Sequence, residues 1–223
     1  MLRIAHRGYS SVYNDNNIES FKKAIEYNFD FIEMDLQLNK ENEIVVYHDN
    51  SINNKLIKNL SNQEIKENNI LFLKDFFQEI DIFTNNKKND KNDKYNIKLL
   101  LDLKGCNNSL AILLYDFLIQ ANINLNQIII ASFNLDYIKY IHRQEFKIFI
   151  GFITANNEFY IKPSIYKHIK YIIVDITTIT NKQITKLKKD NKIIFAYTCH
   201  NKSEIELFQN KSIDGIITNI KID

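Results

Sequence analysis

Tryptophan is absent from these 223 residues, proline occurs once, glycine four times and cysteine twice. The two cysteines, Cys106 and Cys199, match no metal-ligand spacing and are too few for a disulfide framework. Two reduced thiols in a cytoplasmic chain are expected. No apolar run is long enough to cross a bilayer, and no basic-then-apolar leader precedes the segment RIAH, so no integral membrane association is expected. Neither sign of charge dominates. The formal net charge is +2, which leaves no electrostatic footprint for nucleic acid or an acidic polymer. With glycine so scarce, Gly8, Gly105, Gly151 and Gly215 are each expected where the backbone requires them, at or beside strand ends. Asparagine, lysine and isoleucine are abundant by compositional bias, so most single Asn and Lys residues carry no message.

What is present is an alternation. Short apolar, β-branched runs at Leu2–Ala5, Phe31–Leu36, Ile97–Leu103, Ile128–Ser132, Lys147–Phe152, Tyr171–Asp175, Lys192–Tyr197 and Gly215–Thr218 read as strands. Helical periodicity falls between them at Ile18–Tyr27, Leu110–Gln120, Leu135–Arg143, near Tyr160–Lys167, and at Ile184–Lys189 and Glu204–Phe208. Eight strand-then-helix units in one chain predict a single α/β domain over residues 1–223, a TIM (β/α)8 barrel. Residues 50–96 interrupt the alternation as an insertion. Within it SNQE at 61–64 reads as a capping box, LFLKDFFQEI as an amphipathic helix, and NNKKNDKNDK as a solvated loop.

The stretch Ile32–Asp49, IEMDLQLNKENEIVVYHD, has Glu33 and Asp35 two apart, on one face of a strand. NKENE then reverses the chain and Ile44–His48 returns as a hairpin arm. It lies outside the barrel count because the link is too short for a parallel crossover. With the turn centred between Glu41 and Asn42, Asp35 falls opposite His48. Two acids beside an imidazole suit a divalent cation and a proton-transfer group; the plainer reading is a hairpin whose acids face water.

A TIM barrel carries its functional side chains where the strands end, on the C-terminal face. His6 and Arg7 follow the first strand, Glu33 and Asp35 end the second, and Asp102 and Lys104 end the third. Tyr197, Thr198 and His200 follow the seventh. Three carboxylates, Glu33, Asp35 and Asp102, form an oxygen-donor set for a hard cation, although Asp102 taken alone reads as an ion-pair partner of Lys104. His6-Arg7-Gly8 supplies a proton-transfer group, a planar cation for phosphate oxygens and a turn. His142 and His168 sit at helix ends and read as structural. His200 is open between the two. Ser132 ends a strand within reach of a substrate, with no nucleophilic triad around it. A metal, two histidines and an Arg/Lys pair suit attack on phosphorus better than on carbonyl carbon.

On the ordered blocks IAHRG at 4–8, IEMDLQLNKENEIVVYHD at 32–49, LLLDLKG at 99–105, SFN at 132–134, IGFIT at 150–154 and DGIITN at 214–219, the chain resembles the glycerophosphodiester phosphodiesterases along nearly its whole length. The resemblance implies a TIM barrel with a small insertion after the second histidine. It implies catalytic His6 and His48 and one divalent ion, Mg²⁺ or Ca²⁺ with Mn²⁺ as a further choice, on Glu33, Asp35 and Asp102. Arg7 and Lys104 would contact phosphate, and Tyr197 would form an aromatic wall. The implied substrate is a small glycerophosphodiester, hydrolysed to glycerol 3-phosphate and an alcohol. Alternatives are a phospholipase D-like lyase forming a cyclic phosphate, and an inactive phosphodiester-binding barrel. Four departures from the family pattern stand out. Asp102 replaces the usual Glu, and Asn14-Asp15-Asn16-Asn17 replaces Pro-Glu-Asn-Thr. Tyr197-Thr198-Cys199-His200 replaces Trp-Thr-Val-Asn, and Asn219 replaces a closing Asp. The His200 exchange is expected to retune the alcohol side of the pocket.

Overall fold

In this computed structural model, which describes residues 1–84, 97–105, 107–156, 159–209 and 211–221, the apolar runs are strands and the helical segments lie between them. The chain runs β1 (Leu2–Ala5), α1 (Ile18–Glu26), β2 (Phe31–Leu38), β3 (Ile44–Val46), β4 (Ser51–Ile52), β5 (Lys55–Leu56), α2 (Asn62–Glu67), β6 (Leu71–Phe72) and α3 (Leu73–Glu79). It continues β7 (Lys98–Leu103), α4 (Ser109–Gln120), β8 (Ile128–Ser132), α5 (Leu135–Arg143), β9 (Phe149–Thr154), α6 (Pro163–Tyr166), β10 (Tyr171–Asp175), α7 (Asn181–Lys189), β11 (Ile193–Cys199), α8 (Lys202–Gln209) and β12 (Gly215–Thr218). Parallel pairing passes β1, β2, β7, β8, β9, β10, β11, β12 and returns to β1, which closes an eight-stranded barrel. Closure removes both edges of the barrel sheet, so its strands are mostly buried and open on apolar runs.

Alternation decides what each strand contributes. Inward positions Ile4, Phe31, Leu100, Ile129, Ile153, Ile173, Phe195 and Ile217 form one cluster that fills the barrel. A Cβ on Gly215 would come within 2.8 Å of Ile4 Cδ1 and 2.9 Å of Phe195 Cδ1, so that position has no room for a side chain. Outward positions such as Ile32, Met34, Leu99, Leu101, Ile130 and Ile172 pack under the helices in a second, larger core.

The hairpin register differs from the expected one. Leu36, Gln37 and Leu38 pair with Val46, Val45 and Ile44, and Tyr47 N donates to Asp35 O, so Asp35 lies opposite Tyr47 and not His48. The cause is Asn42, in the left-handed region at φ 60°, while Asn39 Oδ1 accepts from the backbone N–H of Glu41 and Glu43. Together they make an odd-numbered loop centred on Glu41. His48 therefore lies past the last paired residue of the arm.

Beyond the hairpin, Ser61 caps α2 in a capping box with Glu64. Leu71 and Phe72, expected in a helix, instead pair with β3, and the helix begins at Leu73. Val45, Ile57, Leu60, Ile65, Ile70 and Phe72 form a satellite core here. The NNKKNDKNDK segment and Cys106 lie outside the described residues. Elsewhere, the strand expected at Lys147–Phe152 runs Phe149–Thr154. The helix near Tyr160–Lys167 is one turn starting at Pro163, whose fixed φ suits a first helical position.

Asparagine does the work that scarce glycine leaves undone. Among the described residues, eight of the ten non-glycine positions with positive φ are Asn. Four of them, Asn28, Asn69, Asn122 and Asn191, follow the caps of α1, α2, α4 and α7 and close paired backbone bonds back into the helix, as in Asn69 N to Lys66 O with Ile70 N to Ile65 O. Asn is the side chain after glycine that best tolerates this conformation. Asn69→Ala is expected to lower unfolding free energy by about 1 kcal/mol and Asn69→Gly to leave it equal or slightly higher, read by urea denaturation. An Ala variant as stable as the parent would remove the left-handed cap from the account.

Candidate active site

Two residues beyond the barrel plug, the inward positions turn polar. Following Ile4 comes His6, following Phe31 come Glu33 and Asp35, following Leu100 come Asp102 and Lys104, following Phe195 comes Tyr197, and following Ile217 comes Asn219. One alternation rule thus carries the barrel's apolar filling into a polar C-terminal rim. Asp35 and Asp102 are direct neighbours in the β2–β7 pairing. One oxygen from each of Glu33, Asp35 and Asp102 lies within 4.8 Å of the others, and all three carboxylates are buried.

Asp35 is the most heavily partnered of the three. Its Oδ1 lies 2.9 Å from Lys104 Nζ, and its Oδ2 accepts from Asn16 Nδ2 at 2.8 Å and faces Arg7 Nε at 3.1 Å. Burial works against its charge, but Lys104, Arg7 and Asn16 outweigh burial and hold its pKa below the usual carboxylate value. Glu33 has fewer partners. Its Oε2 accepts from the Arg7 backbone N–H at 2.8 Å, yet burial and the Asp35 charge push its pKa well above the ordinary value. Asp102 Oδ2 accepts from Lys104 Nζ at 2.5 Å, while Oδ1 is buried with no partner. Burial, opposed by Lys104 and reinforced by Asp35, raises its pKa to about 6. The ion pair between Asp102 and Lys104 and the three-acid cluster are both present.

Three carboxylates against the two cations Arg7 and Lys104 leave one negative charge uncompensated in a buried place, which is the physical origin of the raised Glu33 and Asp102 values. Burial opposes the charge on both cations too, but the acids around them prevail and raise their pKa values. The orphaned Asp102 oxygen and the all-oxygen donor set fit a hard divalent cation.

The sharp turn after β1 sets Arg7. Its φ is 56° and that of Gly8 is 81°, so the chain folds back on itself. A Cβ on Gly8 would come within 2.3 Å of Ser20 Oγ and 2.7 Å of the Ser20 backbone, which only glycine avoids. Arg7 Nη1 also donates to Asp15 Oδ2 at 2.9 Å. His6 Nδ1 lies 2.6 Å from Asn219 Oδ1. Burial, then the Arg7 charge, lower its pKa to about 4, so the ring is neutral at pH 7.

His48 is half-exposed, with Nδ1 2.7 Å from Asp49 Oδ1. Gln37 holds the chain around it, donating from Nε2 to the carbonyls of Tyr47 and Asp49 at 2.8 Å each. Tyr197 Oη is buried without a partner, and its ring meets Phe133 edge-on with centroids 5.9 Å apart. Lys104 Nζ lies 5.6 Å from the centre of Phe133.

Other expected residues separate from this group. Ser132 donates to Leu103 O at 2.7 Å and accepts from Asn134 N at 3.1 Å, so its hydroxyl serves the strand end and not a substrate. The rings of His142 and His168 stack on each other 4.1 Å apart. Cys199 is buried, and burial pushes its thiol up to about 12. His200 sits beside Asn219, its Nδ1 3.4 Å from Asn219 Nδ2. Asn16 and Gln37 had not been singled out by chemistry; Gln37 was legible as the next inward position after Asp35, Asn16 only by its place in the turn.

The sequence profile of the glycerophosphoryl diester phosphodiesterase family matches residues 6–220. The Bacillus subtilis protein YhdW is 27% identical over 230 residues, covering 98% of this chain and 94% of its own. A glycerophosphodiester phosphodiesterase of Caldanaerobacter subterraneus is 39% identical over 71 residues, 30% of this chain and 29% of its own. Among solved structures, an Oleispira antarctica phosphodiesterase in complex with its product sn-glycerol 3-phosphate aligns with a TM-score of 0.83 at 17% identity, over 99% of this chain and 94% of that one. A Thermotoga maritima glycerophosphodiester phosphodiesterase aligns with a TM-score of 0.75 at 20% identity, over 98% and 94%. The structural likenesses establish the barrel; the profile, spanning almost every residue from the first rim histidine onward, establishes that the chain belongs to the glycerophosphoryl diester phosphodiesterase family.

Proposed function

We propose that this barrel hydrolyses glycerophosphodiesters to glycerol 3-phosphate and a free alcohol, with a divalent cation held by Glu33, Asp35 and Asp102. The observation that carries the reading is the buried, unpartnered Asp102 oxygen in a three-carboxylate cluster with only two cations. A monoanionic phosphodiester and a divalent ion added to that cluster bring its formal charge to zero. When bound, the ion would supply electrostatic stabilisation of charge on the non-bridging phosphoryl oxygens. Arg7 and Lys104, already aimed into the cluster through Asp35, contact those oxygens.

His6 is the base. Its Nδ1 is occupied by Asn219 Oδ1, which leaves Nε2 as the proton acceptor, and its lowered pKa keeps that nitrogen unprotonated across the neutral range. His48 delivers the proton to the leaving alkoxide, with the Asp49 carboxylate to hold its Nδ1–H. The Tyr197 and Phe133 rings form one apolar wall against which the glycerol carbon chain rests. The product seen on the Oleispira antarctica relative, glycerol 3-phosphate, is consistent with this assignment.

Release of glycerol 3-phosphate from glycerophosphocholine is expected with Mg²⁺, Ca²⁺ or Mn²⁺ and not with EDTA, and is expected to be lost in Asp102→Ala. His6→Ala should lower kcat by roughly 10²-fold or more. A near-normal His6→Ala enzyme would sink the base assignment, and a cyclic phosphate as the final product in phosphorus NMR would replace hydrolysis by the lyase reaction.

The pH dependence has a definite sign. A carboxylate with a raised pKa is protonated as pH falls through that value, and a protonated carboxyl does not bind the ion. The rise in Tm conferred by Mg²⁺ should therefore shrink as pH falls through about 6, with affinity dropping about tenfold per unit for each proton taken up. At saturating metal the acid limb of kcat/KM should lie well below 6.5, near the His6 value of about 4. A limb at 6.5 would assign the essential base elsewhere.

A further inference from the structure

We propose that His200 is a positioning residue for the reaction, acting through Asn219 to set which nitrogen of His6 carries the proton; the proposal rests on His6 being the base. Two of the positions at which this chain departs from the family pattern, His200 and Asn219, touch each other. Asn219 Nδ2 lies 3.4 Å from His200 Nδ1, and Asn219 Oδ1 lies 2.6 Å from His6 Nδ1. Strand closure brings them together, since Asn219 follows β12, His200 follows β11 and His6 follows β1, three consecutive neighbours in the barrel.

The reason an asparagine here needs help is its asymmetry. A carboxylate offers two equivalent oxygens, so either face accepts from His6. An amide has one accepting and one donating end. With Oδ1 toward His6, Nδ1 carries the proton and Nε2 is free to accept another. With the amide turned over, Nδ2 donates to His6 Nδ1, the proton moves to Nε2, and the ring cannot act as a base at that atom. The amide orientation and the His6 tautomer are therefore one variable.

The other neighbours do not decide it. Ser10 Oγ is within donating distance of both His6 O, at 2.8 Å, and Asn219 Oδ1, at 3.2 Å; with its single proton on the closer carbonyl, its lone pairs are free to accept from a turned amide. Backbone contacts such as Ser11 N to Asn219 O place the residue but not its side-chain ends. With its proton on Nε2, His200 offers Nδ1 as an acceptor 3.4 Å from Asn219 Nδ2, and in that tautomer this contact selects the productive orientation. Its backbone is placed just before α8, where the His200 backbone N–H donates to Glu204 Oε2 at 2.7 Å and Asn201 Oδ1 accepts from the Glu204 backbone N–H at 3.0 Å.

The test is a cycle of His200→Ala, Asn219→Asp and the double variant, read by steady-state kinetics on glycerophosphocholine and by nitrogen-15 NMR of the His6 ring. One neutral hydrogen bond sets the scale, so His200→Ala should lower kcat by about 3- to 10-fold with KM unchanged, while the His6 spectrum shifts from the Nδ1–H toward the Nε2–H form. In the Asn219→Asp background the same replacement should change kcat by less than about twofold, because a carboxylate has no wrong way round. Equal losses in both backgrounds, or an unchanged His6 tautomer in His200→Ala, would overturn the proposal. Absence of turnover in the parent protein would instead defeat the hydrolase reading, and the NMR arm would still decide whether His200 sets the tautomer.

Discussion

The structure depends on how a buried negative charge at Asp35 is held. Taking a carboxylate out of water costs several kcal/mol, and only close, well-directed partners offset it. Asp35 has three, and each comes from a different part of the chain: Arg7 from the turn after β1, Asn16 from the loop before α1, and Lys104 from the end of β7. The turn must therefore be left-handed at Arg7 and Gly8, because an ordinary turn would carry the guanidinium away from the strand it has to reach. Asn16, itself at φ 53°, folds the loop back so that its side chain meets Asp35 twice, through Nδ2 to Oδ2 and through Oδ1 from the Asp35 N–H. The site's unusual backbone is explained by one charge that cannot be left alone.

That same arrangement makes the three acids unequal. Asp35 uses both oxygens on its partners, whereas Glu33 and Asp102 each keep less support and correspondingly resist ionisation. Lys104 serves two carboxylates at once, so it balances the cluster without satisfying it. Lys104, two residues along the same strand face as Asp102, pairs with it directly.

Most of the barrel and the core of the rim were legible in the sequence because both follow one period. A residue two past the last buried inward position of a barrel strand lands on the rim, and His6, Asp102 and Tyr197 are found by that step alone. What was not legible depended on geometry that breaks the period. The hairpin register turned on one left-handed residue, Asn42, and that single slip changes the residue opposite Asp35 from His48 to Tyr47. Ser132 sits at a strand end as the rule demands, yet its side chain points outward from the barrel interior and is used up on Leu103 O. Asparagine, abundant by composition, carries a message at Asn28, Asn69, Asn122 and Asn191 that no periodicity shows: it supplies the left-handed caps that four glycines could not.

Residue identity at the rim also has to be read in contacting sets and not position by position. Asn219 viewed alone is a weakened version of a carboxylate, since it can neither carry charge for His6 nor accept at both ends. His200 viewed alone is an exposed histidine past a strand. The β11–β12 pairing sets them side by side, and on the proposed reading one supplies the orientation that the other's amide needs. Burial together with Arg7 lowers the His6 pKa to about 4, against the Asn219 hydrogen bond and the Asp35 charge, which raise it. On the proposed reading of His6 as the base, a ring that is neutral by environment needs only its tautomer set, and an amide held in one orientation is sufficient for that.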